Sequence, residues 1–219
     1  MKRKALVIGA TGLIGKSVTQ QLLEHEQYEY VTVLVRRPLE LYNEKLQQIE
    51  VDFDHLSTYE LYFQVDDLYI CLGTTIKKAK TRDMFEKVDY DYVVDSVNLA
   101  ATNRVERVAI VSAIGANSSS NIFYNKVKGK MEEAVQQVKI NSLYIIRPSL
   151  LLGDRNEFRF GEKVAEKLSY IFTPLLKGKL AKYRPVRGED VAFTMIENVM
   201  KGKQGIHIIE SNNISLRIR

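Results

Sequence analysis

Three groups of residues in this chain have the types and spacing that chemistry requires. Tyr124 and Lys128 are four apart, so on a helix they lie one turn apart on the same face. An ammonium beside a phenol lowers the phenol pKa, and the tyrosine can then exchange a proton near neutral pH. Ser112 precedes the pair by a dozen residues and has a hydroxyl suited to holding a reacting oxygen. Gly9, Gly12 and Gly15 recur at three-residue spacing inside ALVIGATGLIGKSV, residues 5–18. Such glycines serve a tight turn, the close approach of backbone to a pyrophosphate, and close packing of helix on strand. The backbone N–H groups of Thr11, Gly12, Leu13 and Ile14, at the start of a helix, then attract phosphate charge. With 12 tyrosines in the chain a Tyr-x-x-x-Lys pair also arises by chance. Its place in the fold therefore decides its meaning.

Apolar runs of strand length alternate with segments of helical periodicity. Strands are expected over residues 4–8, 30–35, 48–51, 67–71, 107–111 and 142–146, with a last one over 205–210. Helices are expected over residues 13–26, 82–102, 125–138, 158–172 and 188–200. That order predicts an α/β fold, a doubly wound parallel sheet of the Rossmann type, in a single domain over residues 1–219. Residues 150–187 break the alternation and form the natural substrate-side lobe. The loop-like NSSSN, residues 117–121, follows a strand.

In open α/β sheets ligands bind beyond the carboxyl ends of the strands, and those ends give a coherent set. The first is the glycine turn. The second carries Arg36 and Arg37 where an NAD-preferring protein commonly has an acid for the ribose hydroxyls. Two guanidinium groups suit the 2′-phosphate of NADP; the plainer alternative is two surface arginines closing a strand. The third ends in Asp52 and Phe53, an acceptor for an adenine amino group and a ring to flank it. The fourth ends in Leu72, Gly73, Thr74 and Thr75, with Gly73 admitting the adenosine ribose. The fifth ends in Ser112, and the sixth in Pro148 and Ser149.

Composition narrows the classes. Forty-five per cent hydrophobic and 27% charged residues describe a globular chain with a core. The single Cys71 excludes an internal disulfide and fits a reducing cytoplasm. No stretch approaches a transmembrane helix, so no membrane role is expected. The net charge of +5 raises nucleic acid. However, the basic clusters at residues 76–82 and 124–130 lack interleaved aromatics, so nucleic acid is not the expected partner. His25, His55 and His207 are far apart, and no metal site is expected.

In this order GATGLIG, Gly73-Thr74-Thr75, Ser112, Tyr124-x-x-x-Lys128 and IRPSLLLGDR resemble the short-chain dehydrogenase/reductase superfamily. The TGxxG form and short length resemble its atypical members. CLGTT, VDYDYVVDSVNLA, SSSNIFYNKVKGKMEEAV and IIRPSLLLGDR are similar to the branch named for the Tat-interactive protein. The resemblance implies NAD(P)(H) binding, with Tyr124 as general acid/base and Lys128 on the nicotinamide ribose. It also implies a serine orienting the substrate oxygen, and the backbone of Pro148 and Ser149 at the nicotinamide amide. The family often has two serines where this chain has Ser112-Ala113; alignment on Gly115 gives Ser112 the role, and the larger sugar-nucleotide relatives give it to Ala113. The expected function is an NADP-dependent oxidoreductase acting on a small carbonyl or alcohol. The alternative is an NADPH sensor that engages a protein partner, and a homodimer is also compatible. The 150–187 lobe mixes Phe158, Phe160, Tyr170, Ile171 and Phe172 with Arg155 and Arg159, which suits an apolar or an anionic substrate alike.

Overall fold

The computed structural model describes residues 2–152 and 178–217. Its centre is a strand run that is apolar on both faces. β1 (Arg3–Ile8) sends Ala5 and Val7 to one side and Leu6 and Ile8 to the other, and all four are fully buried. A strand so covered must lie in the middle of a sheet with helices on both faces. The sheet has seven strands, all parallel: β2 (Tyr28–Val35), β3 (Leu46–Glu50), β4 (Asp67–Ile70), β5 (Arg107–Val111), β6 (Ser142–Arg147) and β9 (Gly205–Glu210) join β1 in the order β3-β2-β1-β4-β5-β6-β9. The order turns back beside β1, where β2 lies on one flank and β4 on the other. This is the switch point at which such sheets open a ligand crevice.

Two cores hold the layers. α1 (Leu13–Glu24) and α6 (Gly188–Lys201) cover one face through residues such as Val18, Leu22, Val191 and Met195. The other face carries α4 (Tyr92–Thr102), α5 (Phe123–Gln136) and the 3₁₀ segment Phe53–Phe63, through Phe63, Val93, Val97 and Met131.

Three differences from the expected elements matter. The expected helix over 82–102 is α3 (Arg82–Glu86), a π-helical turn Lys87–Asp91, and α4. A short α2 (Ile76–Ala79) precedes it, started by the Thr75 hydroxyl accepting from Lys78 N–H. The ends of the expected substrate-side lobe meet as a two-stranded parallel sheet, β7 (Leu151–Leu152) with β8 (Val186–Arg187). The helix expected over 158–172, with its aromatic and arginine side chains, lies outside the described residues.

The glycine turn is built by steric exclusion. Gly9 has φ +89°, and a Cβ there would lie 2.6 Å from the Cys71 carbonyl oxygen. A Cβ on Gly15 would lie 2.1 Å from the carbonyl oxygen of Gly9, so helix and strand approach only because it is absent. Gly15→Ala is therefore expected to lower the urea unfolding free energy by about 1–3 kcal/mol, as overpacking does. A stability equal to wild type would refute this account of the turn.

Candidate functional site

Beyond the carboxyl ends of β1, β4, β5 and β6 lies one crevice of about 1320 Å³. Ordinary small-molecule pockets span roughly 300–1,000 Å³, so this one has room for a large ligand and a second, smaller one. Its walls bring together Thr11, Gly12, Leu13, Ile14, Leu72, Gly73, Thr74, Thr75, Ser112, Tyr124, Lys128, Pro148 and Ser149, most of the residues expected from the strand ends. Gly9 and Gly15 stand behind this wall as the structural glycines of the turn.

Gly12 differs from those two. Its backbone is extended (φ −80°, ψ 167°) and the nearest atom to a Cβ would be the Gly9 carbonyl oxygen at 3.4 Å, an ordinary contact. Folding leaves space at Gly12 for a side chain. It caps α1 with no side-chain hydrogen bond, and its own N–H donates to the Gly9 carbonyl at 3.0 Å, so of the expected donors it is the Leu13 and Ile14 N–H groups that the helix start leaves without a hydrogen-bond acceptor among the described residues. A bare backbone at an open helix start fits a pyrophosphate, which needs both close approach and donors.

Lys128 and Asp89 are the electrostatic centre. Lys128 Nζ lies 2.9 Å from Asp89 Oδ1, and both side chains are almost fully buried. Nζ also lies 3.5 Å from the Val111 carbonyl oxygen, and Asp89 Oδ2 accepts the Thr74 N–H at 2.8 Å. Burial alone would lower the Lys128 pKa. The Asp89 carboxylate, with Tyr124 and Glu132, outweighs it and holds the ammonium above the ordinary lysine range. The charge of Lys128 is thus shared with an acid that was not among the expected site residues. Tyr124 lies one turn before Lys128 on α5, with its ring packed against Phe85 of α3 at 5.7 Å between centroids.

Ser112 is placed differently from expectation. It lines the crevice, yet its hydroxyl donates to Glu132 Oε1. Glu132 is gripped by Arg147, whose Nε lies 3.0 Å from Oε1 and whose Nη2 bonds Oε2, and Arg147 continues to Glu210 at 2.9 Å. A carboxylate held by a guanidinium is ionised and can only accept. The Ser112 proton is therefore committed, and toward the crevice the hydroxyl offers lone pairs only. The Pro148–Ser149 backbone is engaged as well: Ile114 N–H donates to the Pro148 carbonyl at 3.0 Å, and Ser149 N–H donates to Ser211 Oγ at 3.1 Å. The Pro148 carbonyl keeps a second lone pair for a ligand donor, and Leu150 and Leu151 line the same wall.

Besides Gly9 and Gly15, four expected residues lie outside the crevice lining. Arg36 and Arg37 follow β2 and are exposed, with no hydrogen bond or ion pair among the described residues. The Asp52 carboxylate accepts from Asp54 N–H and bonds His55 Nδ1 at 2.9 Å, which holds it below the usual carboxylate range. Phe53 is buried and packs on Tyr92 at 5.4 Å. Its ring belongs to the core on that face of the sheet and is not part of the crevice lining. Lys16, Ser17, Gln20, Lys77 and Lys78 line the crevice without having been expected there. Lys77 and Lys78 belong to the basic segment 76–82, for which the sequence suggests nucleic acid alone. Among the described residues no cluster of acids, histidines and cysteine is placed to hold a metal, and no helix is long and apolar enough to cross a membrane.

A family model described as NAD(P)H-binding matches residues 9–197. The protein HTATIP2 of Rattus norvegicus is 38% identical over 170 residues, covering 75% of this chain and 69% of its own. A protein named FMP52, mitochondrial, of Eremothecium gossypii is 32% identical over 214 residues, covering 96% and 95%. Among solved structures, the Bordetella bronchiseptica enzyme WbmH in complex with NAD+ superposes with a TM-score of 0.73 at 15% identity, covering 96% of this chain and 76% of its own. MoeE5 in complex with UDP-glucose and NAD gives 0.71 at 14%, covering 94% and 74%. At those identities the two structures report the fold.

Gly12→Val fills the one part of the turn that folding leaves open. It is expected to keep the wild-type unfolding midpoint while abolishing dinucleotide binding in a fluorescence titration. Retained affinity would show that ligand does not approach the backbone there.

Proposed function

We infer the function from one premise: this chain belongs to the NAD(P)H-binding family and is an atypical short-chain dehydrogenase/reductase related to HTATIP2. We propose that it is an NADP-dependent oxidoreductase acting on a small carbonyl or alcohol. The observation that carries the reading is Tyr124 on the crevice wall, one helical turn from a lysine held charged by a buried acid. A bound nicotinamide supplies or takes the hydride. Tyr124 gives the proton to the substrate oxygen, or takes it in the reverse direction. Lys128 holds the ribose hydroxyls and keeps positive charge near the phenol. Because the Ser112 proton belongs to Glu132, Ser112 serves as an acceptor that orients a substrate hydroxyl, and Tyr124 is the donor to a carbonyl.

The preference for NADP rests on Arg36 and Arg37. They are exposed beyond β2 without a carboxylate partner among the described residues, while the nearby acids are occupied: Asp52 by His55, and Asp54 by Lys87 at 2.8 Å and by Tyr92. We place the chain in the cytoplasm on its single cysteine; the FMP52 relatives are named mitochondrial, and imaging of a tagged full chain distinguishes the two.

A second reading, an NADPH sensor with little turnover, is favoured by the commitment of Ser112 to Glu132, which leaves Tyr124 without a partner hydroxyl donor.

Two measurements test these readings. Replacing Arg36 and Arg37 with glutamine is expected to weaken NADPH binding by about 1.5–3 kcal/mol per lost charge-assisted bond and to leave NADH unchanged. Equal losses for both dinucleotides would remove the 2′-phosphate assignment. In single-turnover oxidation of bound NADPH across a carbonyl panel, Tyr124→Phe is expected to be slower than wild type by about 10²–10⁴. Equal rates would end the catalytic assignment, and no turnover with any carbonyl would favour the sensor.

A further inference from the structure

Asp89 lies where three crevice-forming segments meet. It sits in the π-helical turn Lys87–Asp91 that interrupts the α3–α4 helix. Such turns contain an extra residue, redirect the side chains near it, and recur at functional sites. This one buries Asp89 completely. One carboxylate oxygen then accepts the Thr74 N–H from the loop after β4, and the other faces Lys128 from α5 at 2.9 Å. The loop leaves room for this contact: a Cβ on Gly73 would lie 3.6 Å from Asp89 Oδ1. Thr74 and Lys128 both line the crevice, one on the β4 side and one on the α5 side.

We propose that Asp89 is a positioning residue that locks the Thr74 loop to Lys128, so that the wall a dinucleotide would lie against and the ammonium that would hold it move as one unit. This rests on the nucleotide-binding reading above and extends it to a residue outside the tyrosine–lysine pair. A buried lysine without a counter-charge gives up its proton, because low dielectric disfavours the charged form. The groups facing Lys128 are Asp89 from the π turn, Tyr124 and Glu132 from its own helix, and the Val111 carbonyl. Cys71, just after β4, and Lys77 and Lys78 of α2 line the same crevice. Burial pushes the Cys71 thiol well up, so it is neutral and supplies no counter-charge, and the two lysines add positive charge. Glu132 is paired with Arg147, so Asp89 is the carboxylate in direct contact with Lys128, and it fixes the direction of Nζ at the same time.

Asp89→Asn tests this, because the amide keeps an acceptor for Thr74 and removes only the charge. In the wild type Lys128 is charged throughout the neutral range, and NADPH affinity is expected to be flat between about pH 6.5 and 9. In Asp89→Asn the Lys128 pKa falls, and affinity should decline about tenfold or more as pH rises across that range. Asp89→Asn with Lys128→Met should be weak and flat, because no ammonium remains to titrate. A residue that merely stabilises the fold would lower affinity equally at every pH. Acetylation of Lys128 by acetic anhydride, read by mass spectrometry on the cofactor-free protein, gives an arm independent of the ligand. It should be faster in Asp89→Asn than in wild type at pH 7.5, because the free amine is the nucleophile.

A flat pH profile or equal labelling rates in Asp89→Asn would overturn the proposal. Wild-type protein that binds neither dinucleotide would overturn the nucleotide-binding reading instead, and the labelling rates would then decide the role of Asp89. If Asp89→Asn does not fold, Asp89→Ser is read by the same two measurements.

Discussion

Lys128 and Asp89 are opposite charges taken almost completely out of water, and the crevice is arranged around keeping them together. Removing an ion from water costs several kcal/mol even after relaxation, and only close, well-bonded geometry offsets it. The chain supplies that geometry from three separate segments: a lysine on α5, an acid on a π turn, and a backbone N–H from the loop after β4. Two of these, the loop and the π turn, belong to the connection that follows β4, and the third follows β5. The pair can form only when β4 and β5 are in register and both helices are docked, so the charge centre of the crevice is assembled by the fold as a whole.

A second polar chain runs beside the first and does different work. Ser112, Glu132, Arg147 and Glu210 connect the ends of β5 and β6 through α5 to β9. This chain fixes the proton of Ser112 and so sets what that hydroxyl can offer a ligand. Lys128 and Glu132 are one turn apart on α5, both buried, and each has its own counter-charge from another element. α5 thus carries a cation toward the crevice and an anion toward the strand end, and the two pairs keep the helix from turning either residue outward.

Most of the scaffold was readable because its rules are local. A four-residue apolar run followed by glycines at three-residue spacing determines a central strand, a turn and a helix start, and β5 and β9 have the expected bounds. The crevice residues on the glycine turn and on α5 were readable for the same reason. Asp89 was missed, although a trace of it is present. Phe85, Asp89, Val93 and Val97 fall at four-residue spacing, so an acid stands on a buried apolar stripe, where an unpaired charge is costly. Lys128 and Glu132 break the stripe of α5 in the same way. The partners of such charges come from distant segments, and periodicity within one helix does not reveal them. The burial of Phe53 is hidden for a related reason: its position at a strand end suggests a ligand, and the 3₁₀ segment that it opens turns its ring into the core. Ser112 lines the crevice, and its hydrogen-bond direction depends on Glu132, twenty residues away.

The central claim is that this crevice is a dinucleotide site with a preference for NADP. The most direct measurement is a calorimetric titration of the purified wild-type chain with NADPH and with NADH under identical salt and pH. One site per chain, with NADPH bound more tightly than NADH, is the predicted result. Binding of neither dinucleotide would contradict the account of the crevice, and tighter binding of NADH would contradict the preference assigned to Arg36 and Arg37.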